Sequence, residues 1–129
     1  MLSYSLILFH PAVTGSLVAV VDDEGETRGR GTVHIHDGTS NTILVADGSA
    51  NASCADTDGD GTAGLARMTF ALRDIRAGAR LTVEISPIAG DIDHRGRVKV
   101  KFPDLGSADG PLEVDGLVLV HSPGGERQR

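Results

Sequence analysis

Alternation between apolar and polar residues is the clearest pattern in this chain. In the stretch 97–102, RVKVKF, every second residue is apolar and the residues between are basic. Successive side chains of a β-strand point to opposite faces, so this period predicts a strand with one buried and one exposed face. Lysines on the exposed face are also typical of an edge strand, where they discourage pairing with a second molecule.

Similar runs recur along the chain, separated by clusters of Gly, Asp, Asn, Ser and Pro. The spacing predicts about eight short strands and a polar loop from Gly48 to Gly64. The run Leu65–Arg76 also fits an apolar helical stripe, so a short helix near 65–76 is the alternative there, although Phe70 favours a strand. The other predicted runs are Leu2–Phe9, Leu17–Val21, Gly31–His36, Thr42–Ala46, Leu81–Ile85, Arg97–Phe102, Leu112–Val114 and Leu117–His121.

These strands predict an all-β fold, a single β-sandwich of immunoglobulin-like or jelly-roll-like type over residues 1–121. The tail at 122–129, SPGGERQR, has no apolar anchor, which predicts a disordered polar segment. With 129 residues the chain can form one core but not two. It contains no Trp, one Tyr and three Phe, so the core must be mainly aliphatic.

Charge and hydropathy argue against several classes of function. The net charge is −6, whereas nucleic-acid binding needs clustered Lys and Arg, so we expect no nucleic-acid partner. No uninterrupted apolar run approaches the ~20 residues of a membrane-spanning helix, so we expect no membrane span. The single cysteine, Cys54, excludes an internal disulfide framework.

The stretch DTDGDG, which begins at Asp56, is the strongest candidate for chemistry. Calcium is bound by several oxygen ligands, and carboxylates at alternate positions of a tight loop can converge on one ion. Gly61 permits the sharp turn that this requires. The stretch resembles the loops of thrombospondin type 3 and dockerin-like calcium modules. We therefore predict a calcium site formed by Asp56, Asp58, Asp60 and Thr62.

The match covers only the first half of an EF-hand loop. Its twelfth position is Arg67, where a bidentate Glu is usual, and its ninth position is Gly64, which has no side chain. Asp47, Asn51 or Asp74 could complete the ligand shell if folding brings them near. A solvated acidic turn, in which Asp and Gly serve the backbone conformation alone, is the open alternative.

His34 and His36 fall on one face of a predicted strand, at the spacing of H-x-H metal pairs. Neutral imidazoles suit zinc, copper or iron, but a site needs a third ligand. Two polar side chains on a solvent face are the simpler interpretation. The chain has no nucleophile elbow and no phosphate-binding glycine loop, so we predict that it is not an enzyme. The candidates for a third ligand, by residue type alone, are His10, Asp37, Cys54, His94 and His121.

Two separate stretches resemble a known family. DGTSNTILVAD at Asp37–Asp47 is similar to a conserved segment of the prepilin-like H-x9-DG proteins of planctomycetes, and nine residues separate His94 from Asp104, as in the motif that names the family. Leu105 replaces the glycine of that motif, and the N-terminal pilin helix is absent. The resemblance implies the β-rich head of a pilin-like or pseudopilin-like surface protein.

Together these features predict a non-catalytic, extracytoplasmic structural or adhesive β-domain, such as a pilin-like, filament or surface-assembly subunit. It would lie outside the cell or at a bacterial cell surface, where it would self-associate or bind another surface protein. One alternative is a calcium-dependent module that binds carbohydrate or protein, and a viral capsid-decoration or tail protein is another. A small metalloenzyme built on His34 and His36 is the remaining hypothesis.

Overall fold

Eight antiparallel strands make up the part of the chain that the structure describes. The computed structural model describes residues 2–37 and 40–121, and for Asp37, Ser40 and Ser107 the backbone alone. The all-β character and the number of strands are as predicted from the sequence. The strands are β1 (Leu2–His10), β2 (Val13–Val21), β3 (Thr27–Asp37), β4 (Ser40–Ala55), β5 (Gly64–Asp74), β6 (Arg80–Pro87), β7 (Arg95–Ser107) and β8 (Gly110–His121).

The first and last strands pair with each other, so the sheet closes into a barrel. Each strand pairs with its neighbours in sequence, and β8 returns to β1 with Leu6 opposite Val118. The prediction of a β-sandwich is therefore wrong. Period-two alternation shows only that one face of each strand is buried, and the interior of a small barrel buries that face as well as a second sheet does.

Three local predictions are also corrected. The stretch 65–76 contains no helix, because β5 pairs with β4 on one side and β6 on the other. Strand β7 lies between β6 and β8, so its lysines do not mark an edge. Strand β4 continues to Ala55 through a register shift between Ala46 and Ala50, so much of the predicted loop is strand. The predicted tail at 122–129 lies outside the described residues.

The core fills the inside of the barrel. Its largest fully buried side chains are Phe70 and Phe102, and most of the others are aliphatic, as the composition indicates. The hydroxyl of Tyr4, which is also buried, lies 3.2 Å from the Cys54 sulfur. Among the described residues, every buried side chain belongs to an apolar residue or to Tyr4.

Connections between the strands alternate between the two ends of the barrel. The loop end carries the loops 22–26, 56–63 and 88–94, together with Leu2 and His121. The turn end carries the connections 11–12, 75–79 and 108–109. Within the described ranges, the chain contains no helix of the length and hydropathy needed to cross a membrane.

Candidate metal-binding site

The loop 56–63 is organised by the side chain of its first residue. One carboxylate oxygen of Asp56 accepts hydrogen bonds from the amides of Gly59 (2.9 Å) and Asp60 (3.2 Å). The other accepts a hydrogen bond from the amide of Gly61 at 3.0 Å. Gly61 has a φ of 85°, which few residues other than glycine adopt. The loop therefore turns tightly around the Asp56 carboxylate.

The loop 88–94 is held against the first loop by a buried isoleucine. Ile92 and Leu65 exchange two main-chain hydrogen bonds, of 2.8 and 3.1 Å, in an isolated bridge. Gly64 permits this close approach, because a Cβ there would lie 2.8 Å from the carbonyl oxygen of Ile92. With Ile92 in the core, Asp91 and Asp93 on either side of it are only partly buried and lie near the first loop.

Four carboxylates from the two loops converge. One oxygen from each of Asp56, Asp58, Asp60 and Asp91 lies within 4.8 Å of the others, and this cluster could bind a metal ion. The amide of Thr57 donates a hydrogen bond to Oδ2 of Asp91 at 2.9 Å, which links the loops. Oδ1 of Asp91 is buried, and it has no hydrogen-bond partner in the described part of the chain. All four candidate ligand atoms are carboxylate oxygens, which suit hard cations such as calcium or magnesium.

The pKa values of Asp58, Asp60 and Asp93 are shifted by their neighbours in this region. The amide of Asp60 lowers the pKa of Asp58, but desolvation, a contact with Asp91 and the charges of Asp60 and Asp91 together raise it above its ordinary value. Desolvation and the charge of Asp60 raise the pKa of Asp93. Asp60 shows the opposite shift, because a hydrogen bond from the amide of Thr62 lowers its pKa. A bound cation would relieve the repulsion that raises the first two values.

Three of the four predicted ligands belong to the carboxylate cluster, and the fourth, Thr62, does not. Asp56, Asp58 and Asp60 come together, whereas Thr62 contacts the site by donating its amide to Oδ1 of Asp60 at 2.8 Å. The three residues suggested to complete the shell lie elsewhere. Asp47 pairs with Arg80, Asp74 accepts hydrogen bonds in the β5–β6 turn, and Asn51 lies on β4 opposite Thr69.

Asp91 is the ligand candidate that the sequence interpretation missed. The only local signal is the stretch Asp91-Ile92-Asp93, an apolar residue between two acids, which is not specific for a metal site. Whether Asp91 lies near the first loop depends on the topology. The β4–β5 and β6–β7 connections meet at one end of the barrel only when consecutive strands are neighbours.

The histidine pair lies on the outer face of β3. The ring centroids of His34 and His36 are 4.2 Å apart, and Nε2 of His36 lies 3.1 Å from the Thr14 hydroxyl. Nε2 of His34 is buried and lacks a hydrogen-bond partner among the described residues. In the part of the chain that the structure describes, the aspartate cluster is the one group of three or more possible ligands.

The comparisons with known proteins add no family assignment. No protein-family model matches the chain. No curated protein and no solved structure is significantly similar to it.

Proposed function

We propose that this chain is a non-catalytic, calcium-binding β-barrel module of an extracytoplasmic protein, and that it presents a carbohydrate- or protein-binding surface at its loop end. The observation that carries the proposal is the convergence of Asp56, Asp58 and Asp60 with Asp91 from a second loop. Calcium accepts irregular shells of carboxylate and carbonyl oxygens, whereas magnesium demands near-octahedral geometry, so a cluster on two loops favours calcium.

Calcium in this cluster would order the loop end. The two loops are linked by the Thr57–Asp91 hydrogen bond and by the Ile92–Leu65 bridge, while the carboxylates between them repel one another. An ion would replace that repulsion with attraction to both loops. A partner that contacts both loops would then bind the calcium-loaded form better. Extracellular modules commonly bind calcium with Kd values of about 10⁻⁴–10⁻³ M, which fits an extracytoplasmic setting.

Thermal unfolding in calcium and in chelator tests this proposal. At calcium concentrations of about ten to one hundred times Kd, binding to the native state adds about 1.4–2.7 kcal/mol, so Tm should rise by several degrees. The double variant Asp58→Asn/Asp91→Asn should lose this rise.

Asp22→Asn is the matched control, because Asp22 lies in another loop of the same end and its carboxylate accepts the amide hydrogens of Glu24 and Glu26 in its own turn. That variant should respond to calcium as the wild type does. The proposal fails if calcium leaves the wild-type Tm unchanged, or if it stabilises the double variant equally.

A self-associating structural subunit is the second candidate, favoured by the apolar outer face of β1. The side chains of Phe9 and Ile7 are 63% and 37% exposed, although both lie within a strand. Leu117, half-buried on β8, lies opposite Ile7 and extends this surface. A second copy of the chain is the partner that a pilin-like or filament-forming protein, or a viral capsid-decoration or tail protein, would place here.

Sedimentation analysis distinguishes this candidate from a monomeric module. The chain should form dimers or larger assemblies at micromolar concentration, and Ile7→Thr/Phe9→Ser should make it monomeric. Ile75→Thr/Ile88→Thr removes a similar exposed apolar surface in two connections and should leave assembly intact. A wild-type chain that stays monomeric up to millimolar concentration would contradict self-association.

A further inference from the structure

Two imidazole rings lie side by side on the outer face of β3. Val33 and Ile35 are buried in the core, so His34 and His36, which alternate with them, both project outwards. The centroids of the two rings are 4.2 Å apart and the ring planes are inclined by 38°. A small movement of the rings can therefore bring one nitrogen of each to about 3 Å from the other, as two ligands with metal–nitrogen bonds of about 2.0–2.1 Å require.

The strand pairing around the two histidines fixes where their side chains begin. His34 lies opposite Thr14 of β2 on one side and Ile43 of β4 on the other, and His36 lies opposite Asn41 of β4. Residues on paired strands hold their positions more precisely than residues in loops. The pair is therefore held close together by the sheet, and binding of one ion by both rings does not require a loop to become ordered.

A hydroxyl group on the neighbouring strand determines which nitrogen His36 offers. Nε2 of His36 lies 3.1 Å from the hydroxyl oxygen of Thr14. When Nε2 donates its hydrogen to this oxygen, Nδ1 is the unprotonated nitrogen and can bind a metal ion. Metal-binding histidines usually donate their other ring N–H to a neighbouring acceptor, which fixes the tautomer and the ring orientation. Thr14 is placed to act as that acceptor.

His34 supplies the second nitrogen. Its Nε2 atom is buried and has no hydrogen-bond partner in the part of the chain that the structure describes. A buried polar atom without a partner costs free energy, and a bound ion would give this one a partner. The side chain of His36 is exposed, so rotation of its ring can admit an ion to the buried nitrogen.

From this arrangement we infer that His34 and His36 bind a divalent transition-metal ion, through Nε2 of His34 and Nδ1 of His36. Imidazole nitrogens suit copper, nickel and zinc, and copper(II) binds most tightly of the three at a given site. Calcium and magnesium prefer oxygen ligands, and the residues paired with the two histidines are uncharged.

Water would complete the coordination, because the pair supplies only two protein ligands. The inference concerns binding of the ion and assigns no reaction to it. The site lies on the side of the barrel and shares no residue with the aspartate cluster, so it does not depend on calcium.

An NMR titration of the ¹⁵N-labelled chain with copper(II) tests the inference, in excess calcium so that sites for hard cations are occupied. Copper(II) is paramagnetic and broadens the signals of nearby amides. The first signals to broaden should be those of Thr14, His34, His36 and Ile43, and the broadening should saturate. Zinc and nickel(II) should displace copper(II) only at higher concentrations than copper(II) itself, and magnesium should not displace it.

The variant His34→Gln/His36→Gln keeps polar side chains on the outer face and should bind copper(II) at least about tenfold more weakly. Thr14→Val removes the acceptor for Nε2 of His36 and should weaken binding by about tenfold, the low end of the range for such outer partners. His94→Gln/His121→Gln is the matched control, because it removes two exposed histidines elsewhere, and it should leave the broadening on β3 unchanged.

The inference is overturned if copper(II) gives no saturable broadening on β3, or if the first signals to broaden lie at the aspartate cluster or beside the control histidines. An undiminished affinity in the His34→Gln/His36→Gln variant would also overturn it. An undiminished affinity in Thr14→Val would overturn the assignment of Nδ1 of His36 as a ligand.

Discussion

The two ends of this barrel are shaped by different kinds of interaction. At the loop end, side-chain carboxylates organise the backbone, as Asp56 does by accepting three amide hydrogen bonds from its own loop. At the turn end, Asp74 has a similar role in the 75–79 connection, but the β7–β8 hairpin is shaped by close main-chain contacts and by a register shift between Phe102 and Gly106. The loop end should therefore respond to cations, whereas the β7–β8 hairpin at the turn end should respond to changes in backbone shape.

The difference follows from how the strands are joined. Long connections leave several main-chain amides without ladder partners, and nearby Asp side chains accept them. The two-residue connections 11–12 and 108–109 leave fewer such groups, so the paired strands determine their conformation. Negative charge accumulates where carboxylates serve as acceptors, and the candidate metal ligands lie in this acidic region.

The largest expected difference in stability is between alanine substitutions at two glycines with positive φ. A Cβ at Gly106, where φ is 143°, would lie 2.2 Å from the carbonyl oxygen of Gly110, and neither backbone can move without disturbing the pairing of β7 and β8. Gly106→Ala should lower the free energy of unfolding by about 2–4 kcal/mol. Gly61→Ala places its Cβ in open space, so only the backbone strain of about 1 kcal/mol remains.

Urea denaturation in chelator measures both values without a contribution from a bound cation. Equal losses for Gly106→Ala and Gly61→Ala would contradict the view that close backbone contacts determine the turn end. A larger loss in the free energy of unfolding for Gly61→Ala would show that the loop end is the more sensitive to backbone shape.

Alternation predicts the strands well but carries no information about closure of the sheet. The pattern of β7 and β8 is the same whether the inner face meets a second sheet or the inside of a barrel. Closure depends on the pairing of Leu6 with Val118, which are far apart in the chain and have no sequence signature of their own. Twist and strand tilt, which determine closure, arise from the whole sheet.

The candidate site also has one part that can be predicted from the sequence and one part that cannot. Asp56, Asp58 and Asp60 are close in sequence, so their convergence follows from a local turn and is visible as a motif. Asp91 joins them only because Ile92 pairs with Leu65 and the loops share one end of the barrel. Ligands within one loop can be predicted from sequence, whereas a ligand from another loop requires the topology.

The smaller expected contrast is between two aspartates with opposite pKa shifts. At the turn end, hydrogen bonds from the amides of Ala77 and Arg76 lower the pKa of Asp74. Its ionised form therefore stabilises the fold above the ordinary pKa of Asp, and this contribution is lost as pH falls through the lowered value. At the loop end the pKa of Asp58 is raised, so stability declines as pH rises from the ordinary pKa of Asp through the raised value.

In chelator at pH 7, Asp74→Asn should therefore lower Tm by a few degrees and Asp58→Asn should raise it slightly. Both effects should disappear at a pH low enough to protonate the wild-type carboxyl group in the folded chain. In excess calcium the effect of Asp58→Asn should change sign, because the ion then loses a ligand while the relief of repulsion no longer matters. Thermal unfolding from pH 3 to 7 measures each change in Tm. If both substitutions move Tm in the same direction at pH 7 in chelator, the carboxylates at the two ends do not differ in the way proposed.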